Sequence, residues 1–440
     1  MILRLSNKKL FVFIIFFLMF FSVKSQIIKD SLKVEVDFNK KLGNVKSMSG
    51  FLHYDNIRLL EKNIKELRPK YWRTGIRWSE KSPDDIAYLQ SFGITPILVI
   101  SDLYGYPGIK NNKNWPHPLR TDNLKNIITE VYNKFKNTVI YDIWNEPFHQ
   151  AGFGDFDPDE YYQIFKKAHD IIRALPGGDK ALITGPSFDK YDEKEMEDFL
   201  RFCNDNKIRV DILSWHELRD GEYSQSFTDD VQKLKHNIIP KYPNVKIKSI
   251  ILNEIINQYA QFSPSKVLSV LNMLEYNNID GACKACWVES DGVFNCNNSI
   301  NGLLTNKQEK RSVWWAYYLY NKSTNNRVGS ISNSSSISSF AYYDKNGEYL
   351  IINNNSGQKI QNVKIVLKNL IKIYKNKKRL RFDVFVLPDT GEKPLENLVF
   401  EKNGNIIVNE KKSIIELNNL NPQTVYYISI TNGIKTQVEK

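Results

Sequence analysis

Two glutamates and their neighbours could do chemistry in this chain. Glu146 closes the run TVIYDIWNEPFHQ (residues 138–150), in which Val139, Ile140, Tyr141, Ile143 and Trp144 lead into Asn145-Glu146-Pro147. Glu254 closes a second apolar run, KSIILNEI (residues 248–255), and again follows an asparagine, Asn253. A buried strand that delivers an amide and a carboxyl group at its C-terminal end is how a barrel of parallel strands presents reactive groups. Two carboxyl groups flanking one bond can divide the work of breaking a glycosidic linkage. One gives a proton to the leaving oxygen, and the other acts on the opposite face through an oxocarbenium-like transition state. In the retaining form of that reaction the two stand about 5 Å apart. Carboxyls on opposite sides of one barrel mouth fit such a gap. Asn145, at the same rim, is placed to hydrogen-bond a sugar hydroxyl.

Positioning two such groups takes a frame, and the sequence supplies eight β segments. They fall at 47–53, 67–78, 95–100, the 138–150 run, 180–185, 210–215, 248–255 and 281–288. Several are almost continuously apolar, as parallel strands buried on both faces should be. Helical patterns stand between most of them, at 56–67, 161–175, 229–236 and 263–276. The second of these is stopped by Pro176-Gly177-Gly178. Strands alternating with helices predict a parallel α/β architecture, and eight of them predict closure into a (β/α)8 TIM barrel. Strand ends then bring further residues to the rim: His53, Arg73, Asp102, His216 with Glu217 beside it, and Trp287.

Beyond about residue 322 the pattern changes. A Ser/Asn-rich break at 329–339 precedes short alternating strands with Asn346-Gly347 and Asn403-Gly404 as hairpin turns. This predicts a C-terminal antiparallel β-sandwich over 323–440 beside a barrel over 43–322. Residues 26–42 alternate as a half-buried strand that would add an edge to the sandwich.

Composition narrows the function classes. The 440 residues include eight Trp and 23 Tyr, rings that suit stacking on sugars. The net charge of +12 is dispersed rather than gathered in a block, so it reads as solvated surface, and no nucleic-acid motif accompanies it. Residues 1–25 have the form of a signal peptide. Arg4, Lys8 and Lys9 precede an apolar run over 10–21, and Val23-Lys24-Ser25 offers a cleavage site. A secreted or periplasmic protein is expected, with no stable membrane insertion after cleavage. In that setting Cys286 and Cys296 are the favoured pair among Cys203, Cys283, Cys286 and Cys296. Zinc would need a second CxxC or clustered histidines, and the chain has neither.

Trp144-Asn145-Glu146-Pro147 on the fourth strand with Glu254 on the seventh resembles the clan A glycoside hydrolases. More narrowly the chain is similar to glycoside hydrolase family 39, the β-xylosidase and α-L-iduronidase type. Arg73, the run Asp-Ile-Leu-Ser-Trp-His over 211–216, Trp287-Val-Glu-Ser-Asp291, Gly302-Leu-Leu-Thr305 and Lys310-Arg311-Ser-Val-Trp-Trp315 fall in the matching order over residues 49–320. The resemblance implies Glu146 as acid/base and Glu254 as nucleophile. Arg73 would hold Glu254 ionised, His216 would steer a carboxylate or hydroxyl, and Trp287 would floor the −1 subsite. Glu146 would need a raised pKa to stay protonated. No cofactor or metal is implied, and the partner would be an oligosaccharide or polysaccharide. The chain departs from the family pattern at Asn253-Glu254-Ile255, at Glu217 and at Phe148-His149, so the family's substrate does not carry over. An endo-acting glycanase of another clan A family, and a glycan-binding protein on a degenerate barrel, remain the alternatives.

Overall fold

The computed structural model describes residues 32–75, 83–104, 117–149, 154, 156–219, 225–296 and 298–431. The apolar runs form eight short parallel strands: β2 (Gly50–Leu52), β3 (Tyr71–Gly75), β4 (Thr95–Val99), β5 (Ile140–Asp142), β6 (Leu182–Phe188), β7 (Ile212–Glu217), β8 (Ser249–Ile255) and β9 (Gly281–Lys284). They close into a barrel, β2 pairing with β3 on one side and with β9 on the other. The helices on its outside include α1 (Glu61–Leu67), α2 (Pro83–Ser91), α3 (Asn123–Phe135), α4 (Pro158–Ala174), α5 (Glu193–Asp205), α6 (Gln225–Lys233), α7 (Pro264–Tyr276) and α8 (Ser312–Ser323). Helix α4 shows how locally these are specified. The Asp157 carboxylate caps its first turn by accepting from the Glu160 amide at 2.8 Å, and Pro158 fits a position where no amide is needed. Its buried face is Tyr161, Ile164, Phe165, Ala168 and Ile172, spaced at three and four.

Period two along the strands sorts the barrel's interior from its wall. Tyr71, Ile97, Ile140, Ile212 and Ile251 point inward and pack on one another, with Cys283 and Ala285. Their neighbours Trp72, Leu98, Tyr141, Leu213 and Leu252 point outward into the core shared with the helices. Two residues further along, the inward positions become Arg73, Asp142, Ser214 and Asn253, all buried. An apolar floor thus carries a polar storey, and the polar storey lies toward the C-terminal ends of the strands.

The second domain holds nine strands in the order β15-β14-β17-β12-β11-β10-β1-β13-β16. These are β1 (Leu32–Gly43), β10 (Arg327–Ser332), β11 (Ile337–Tyr343), β12 (Glu348–Asn354), β13 (Ile360–Lys368), β14 (Arg379–Leu387), β15 (Val399–Ile407), β16 (Lys412–Leu420) and β17 (Thr424–Thr431). One face of every strand contributes to a common core, among them Val36, Val328, Ala341, Leu350, Ile365, Val384, Ile406, Ile415 and Ile428. The sheet is therefore folded over itself. The alternate residues Phe340, Tyr342, Tyr349, Ile351, Phe385, Val425 and Tyr427 belong to the barrel's core instead, where α7 and α8 pack on this sheet. Arg327 bridges to Glu275 across the joint at 2.9 Å, and Ser265 Oγ donates to Asn353 Oδ1 at 2.7 Å.

Two expectations need correction here. β1 is not an edge: it lies between β10, antiparallel, and β13, parallel. The Ser/Asn-rich break at 329–339 contains parts of β10 and β11, whose serines face one another across the ladder, Ser330 Oγ and Ser339 Oγ 2.6 Å apart. Residues 1–25 lie outside the described residues, and no described helix is long and apolar enough to cross a membrane.

Candidate active site

The polar storey is organised by Arg73 on β3. Its Nε donates to Asp142 Oδ2 at 2.9 Å, its Nη1 to Glu254 Oε1 at 2.8 Å and its Nη2 to Asn145 Oδ1 at 2.6 Å. Burial alone would lower the guanidinium's pKa. The facing charges of Asp142, Glu254 and Asp102 overcome that and raise it, so the group is a fixed cation. Asp142 is itself held from three sides, by Arg73, by Ser187 Oγ at 2.7 Å and by Asn253 Nδ2 at 2.9 Å.

Two β-bulges make this arrangement possible. Between its pairings with β7 and β9, strand β8 carries one residue more than either neighbour. Leu252 and Ile255 both face the outer core, so Asn253 and Glu254 both turn to the inside, which simple alternation forbids. Strand β6 has a similar extra residue against β7 at Ser187, whose φ is +57°. That twist turns the Ser187 hydroxyl onto Asp142 and Asn253.

Glu146 follows β5 and adopts a φ of +45°, left-handed for a residue with a side chain. Its amide is held by Ser187 O at 3.0 Å. His216, fully buried on β7, places Nδ1 2.8 Å from Glu146 Oε1 and 3.8 Å from Glu254 Oε2. Burial would raise Glu146, but the hydrogen bond and charge of His216 prevail and hold it below the ordinary carboxylate value. Burial would lower His216; Glu254 and Glu146 prevail there and raise it. The two shifts agree that the proton of this pair rests on the imidazole. The expected raised pKa of Glu146 is thus corrected: the proton is stored one hydrogen bond away.

Ile256, just past Glu254, has a φ of +71°, and His53 one of +39°. A β-branched residue there is a true outlier, and such strain gathers at working sites at about 1–3 kcal/mol each. The Ile256 carbonyl accepts from Trp287 Nε1 at 2.8 Å, and the Trp287 amide donates to Asn295 Oδ1 at 2.8 Å. Trp287 is half-buried and lies beyond β9, not on it as expected, because the strand stops at Lys284. Its loop is closed by a disulfide between Cys286 and Cys296, with the Cα atoms 5.0 Å apart. His53 and Asp102 both stand at the rim, each half-buried. A side chain at Gly75 would collide with the Asp102 carboxylate, whose Oδ2 would lie 1.4 Å from such a Cβ, so Asp102 could keep its place only opposite a glycine. Glu217 is buried against Trp215 Nε1 at 3.2 Å and Arg219 Nε at 2.7 Å.

Sequence reasoning brought Glu146, Glu254, Arg73, Asn145 and His216 to one place, but it overlooked Asp142 and Ser187 and gave Asn253 no role in the site. A signal was present for the first of them, since an arginine inside a barrel demands a buried counter-charge and Asp142 shares a strand with the glutamate motif. Donor atoms of Glu146, His216 and Glu254 lie within 4.8 Å of one another, a spacing that a divalent ion can use. Here Arg73 already supplies a cation to Glu254, and His216 Nδ1 is engaged by Glu146, so an ion would have to displace both.

A parallel eightfold barrel packs on a largely antiparallel sheet, with carboxylates after its fourth strand and at the end of its seventh, the arrangement that the sequence's resemblance to clan A glycoside hydrolases implies. The family model described as glycosyl hydrolases family 39 matches residues 128–259, the segment that contains both Glu146 and Glu254. Over that segment the chain is similar to the family 39 glycoside hydrolases. Among solved structures it is similar to N2152 from Neocallimastix frontalis, at 19% identity and a TM-score of 0.74, covering 92% of this chain and 100% of that one. A GH39 enzyme from Xanthomonas axonopodis pv. citri aligns at 13% identity and a TM-score of 0.64, over 91% of this chain and 97% of that one. A monomeric beta-xylosidase from Caulobacter crescentus CB15 gives 13% and 0.64, over 91% and 100%. At these identities the likeness is one of fold.

Proposed function

We propose that the protein is an exported, retaining glycosidase acting on a plant, algal or host glycan, with Glu254 as nucleophile and Glu146 as acid/base. The observation that carries this is the separation of the two carboxyls. Oxygens of Glu146 and Glu254 come within 4.8 Å. Retaining enzymes hold their carboxyls about 5–5.5 Å apart, whereas inverting ones leave about 6.5–9.5 Å for a water.

In the first step Glu254 attacks the anomeric carbon while the bond to the leaving oxygen breaks. Arg73 Nη1 donates to Glu254 Oε1 and so orients the other oxygen for attack. The leaving oxygen takes a proton from Glu146, which receives it from the His216 imidazolium across their hydrogen bond. In the second step Glu146, again a carboxylate, takes a proton from water as that water's oxygen displaces Glu254 from the sugar. Asn145 Oδ1 is engaged by Arg73, so any hydrogen bond it gives a sugar comes from Nδ2.

The test is hydrolysis of aryl β-xyloside, β-glucoside, β-galactoside, α-L-arabinoside and β-glucuronide by residues 26–440, with Glu254→Ala beside it. Turnover on any member, lost in Glu254→Ala and giving the retained anomer by NMR, supports the reading and names the sugar. A product of inverted configuration overturns the mechanism. Binding of polysaccharides without cleavage of any would make the barrel a lectin.

A further inference from the structure

Two loops leave the C-terminal face of the barrel beside Glu254, and each carries a large aromatic ring to solvent. Tyr259, on the loop after β8, is 72% exposed, and Phe294, in the disulfide loop after β9, is 59% exposed. Val288 and Val293 are also exposed on the second loop, and Val288 pairs antiparallel with Phe294. Val288, Val293 and Phe294 thus group three exposed apolar side chains on one loop, and grouped apolar surface marks an interaction site.

Both loops are fixed rather than free. Asn295 Nδ2 donates to Gln261 Oε1 at 2.6 Å, tying the residue next to Phe294 to the loop of Tyr259. The Tyr259 loop is set by Asn257, whose Oδ1 accepts from the amides of Tyr259 and Ala260, each at 3.0 Å. The Phe294 loop is set by the Cys286–Cys296 disulfide, by Trp287 on Ile256 O and by a buried pair between Arg311 and Glu289 at 2.7 Å. The second domain braces it from outside, the Ser290 amide donating to Glu392 Oε1 at 3.0 Å. Ordered loops holding unpartnered rings beside a sugar-cleaving centre are preorganised to stack on the apolar faces of sugar rings.

We propose that Tyr259 and Phe294 form an aromatic platform that binds further sugar units of a glycan whose reacting unit lies at Glu146 and Glu254. The proposal rests on the glycosidase reading and adds that this enzyme prefers oligomers to monoglycosides. Trp287 joins the two loops, its Nε1 donating to Ile256 O and its amide to Asn295 Oδ1, so the substrate chain runs outward over the loops after β8 and β9.

The experiment compares wild type, Tyr259→Ala, Phe294→Ala and Phe294→Trp on the best aryl monoglycoside and on matching oligosaccharides of two to six units. Both alanine variants should keep kcat/KM on the monoglycoside within about twofold and lose about three- to tenfold on the longer substrates, with the loss in KM. Phe294→Trp should restore the chain-length preference. Circular dichroism and thermal melting check that all variants fold. An active wild type whose chain-length dependence is unchanged by both alanine variants, or variants that lose the monoglycoside equally, overturns the platform. A wild type inactive on every glycoside overturns the glycosidase reading instead. The platform then stands or falls on calorimetry with the same oligosaccharides, where affinity must rise with length and that rise must vanish in Phe294→Ala.

Discussion

Arg73 gives its Nε to Asp142 Oδ2 at 2.9 Å in a place where the two side chains are 2% and 0% exposed. Neither charge has water to fall back on, so each depends on the other. Removing one partner of a buried pair costs about 3–5 kcal/mol because it strands the survivor. Arg73 also keeps Glu254, which softens the loss. Asp142→Asn should therefore destabilise the fold by about 2–4 kcal/mol, read as a lower denaturation midpoint with unchanged slope. A change under about 1 kcal/mol would show that the pair is not what orders the polar storey.

The proton held between His216 and Glu146 predicts a pH profile. The folded pKa of His216 lies above its ordinary 6.5, so the pair keeps its single proton to a higher pH than a free imidazole would. Without the imidazole, Glu146 retains the proton only up to its own value, which burial raises from 4.5. His216→Asn should move the basic limb of kcat/KM to lower pH, with a smaller loss at pH 5 than at pH 7. An unmoved limb would remove His216 from the proton path.

The disulfide predicts a binding effect separate from the chemistry. Cys286 and Cys296 stand ten residues apart in sequence and clamp the loop of Trp287, which hydrogen-bonds to Ile256 O and Asn295 Oδ1. Cys286→Ser should cost about 2–3 kcal/mol of stability by the entropy of so short a loop. It should raise KM severalfold while kcat on a reactive aryl glycoside stays near wild type. Equal losses in kcat and kcat/KM would instead place the loop in the transition state.

The barrel was legible because its strands are short, apolar and separated by capped helices, so each local pattern agrees with the whole. What escaped was whatever depended on pairing between distant strands. Nothing local marks the extra residue in β8, yet that residue turns both Asn253 and Glu254 inward. Nothing in residues 32–43 says that they will pair in parallel with residues 360–368, so β1 read as an edge. The segment with Ser330 and Ser332 read as a break because of its Ser/Asn-rich composition, yet these serines pair with the buried Val36 and Val34 of β1. Trp287 was found by motif but misplaced on the strand, since Ala285 and Cys286 continue an apolar run past the last ladder pairing at Lys284.

Lys284 gives a prediction of the opposite sign to the usual carboxylate case. It points out of the barrel into a fully buried place, where its Nζ donates to Asn301 O at 2.7 Å and Ala285 O at 3.3 Å. Burial, with the nearby charge of Arg311, pushes its pKa down to about 7 from 10.5, while Glu289 opposes the shift. Unfolded, the amine holds its proton up to about 10.5; folded, it releases it near 7. Between those values the unfolded state binds more protons, so this group's contribution to stability rises with pH. Its penalty is complete below about pH 7 and has faded by pH 10.5. Lys284→Met lacks this titration but leaves two carbonyls without a donor, a cost that does not vary with pH. The difference in melting temperature, variant minus wild type, should therefore be most favourable to the variant at pH 6 and fall steadily toward pH 10. A difference that stays flat across that range would mean that Lys284 keeps its charge in the folded protein, solvated by a path through the β9 loop.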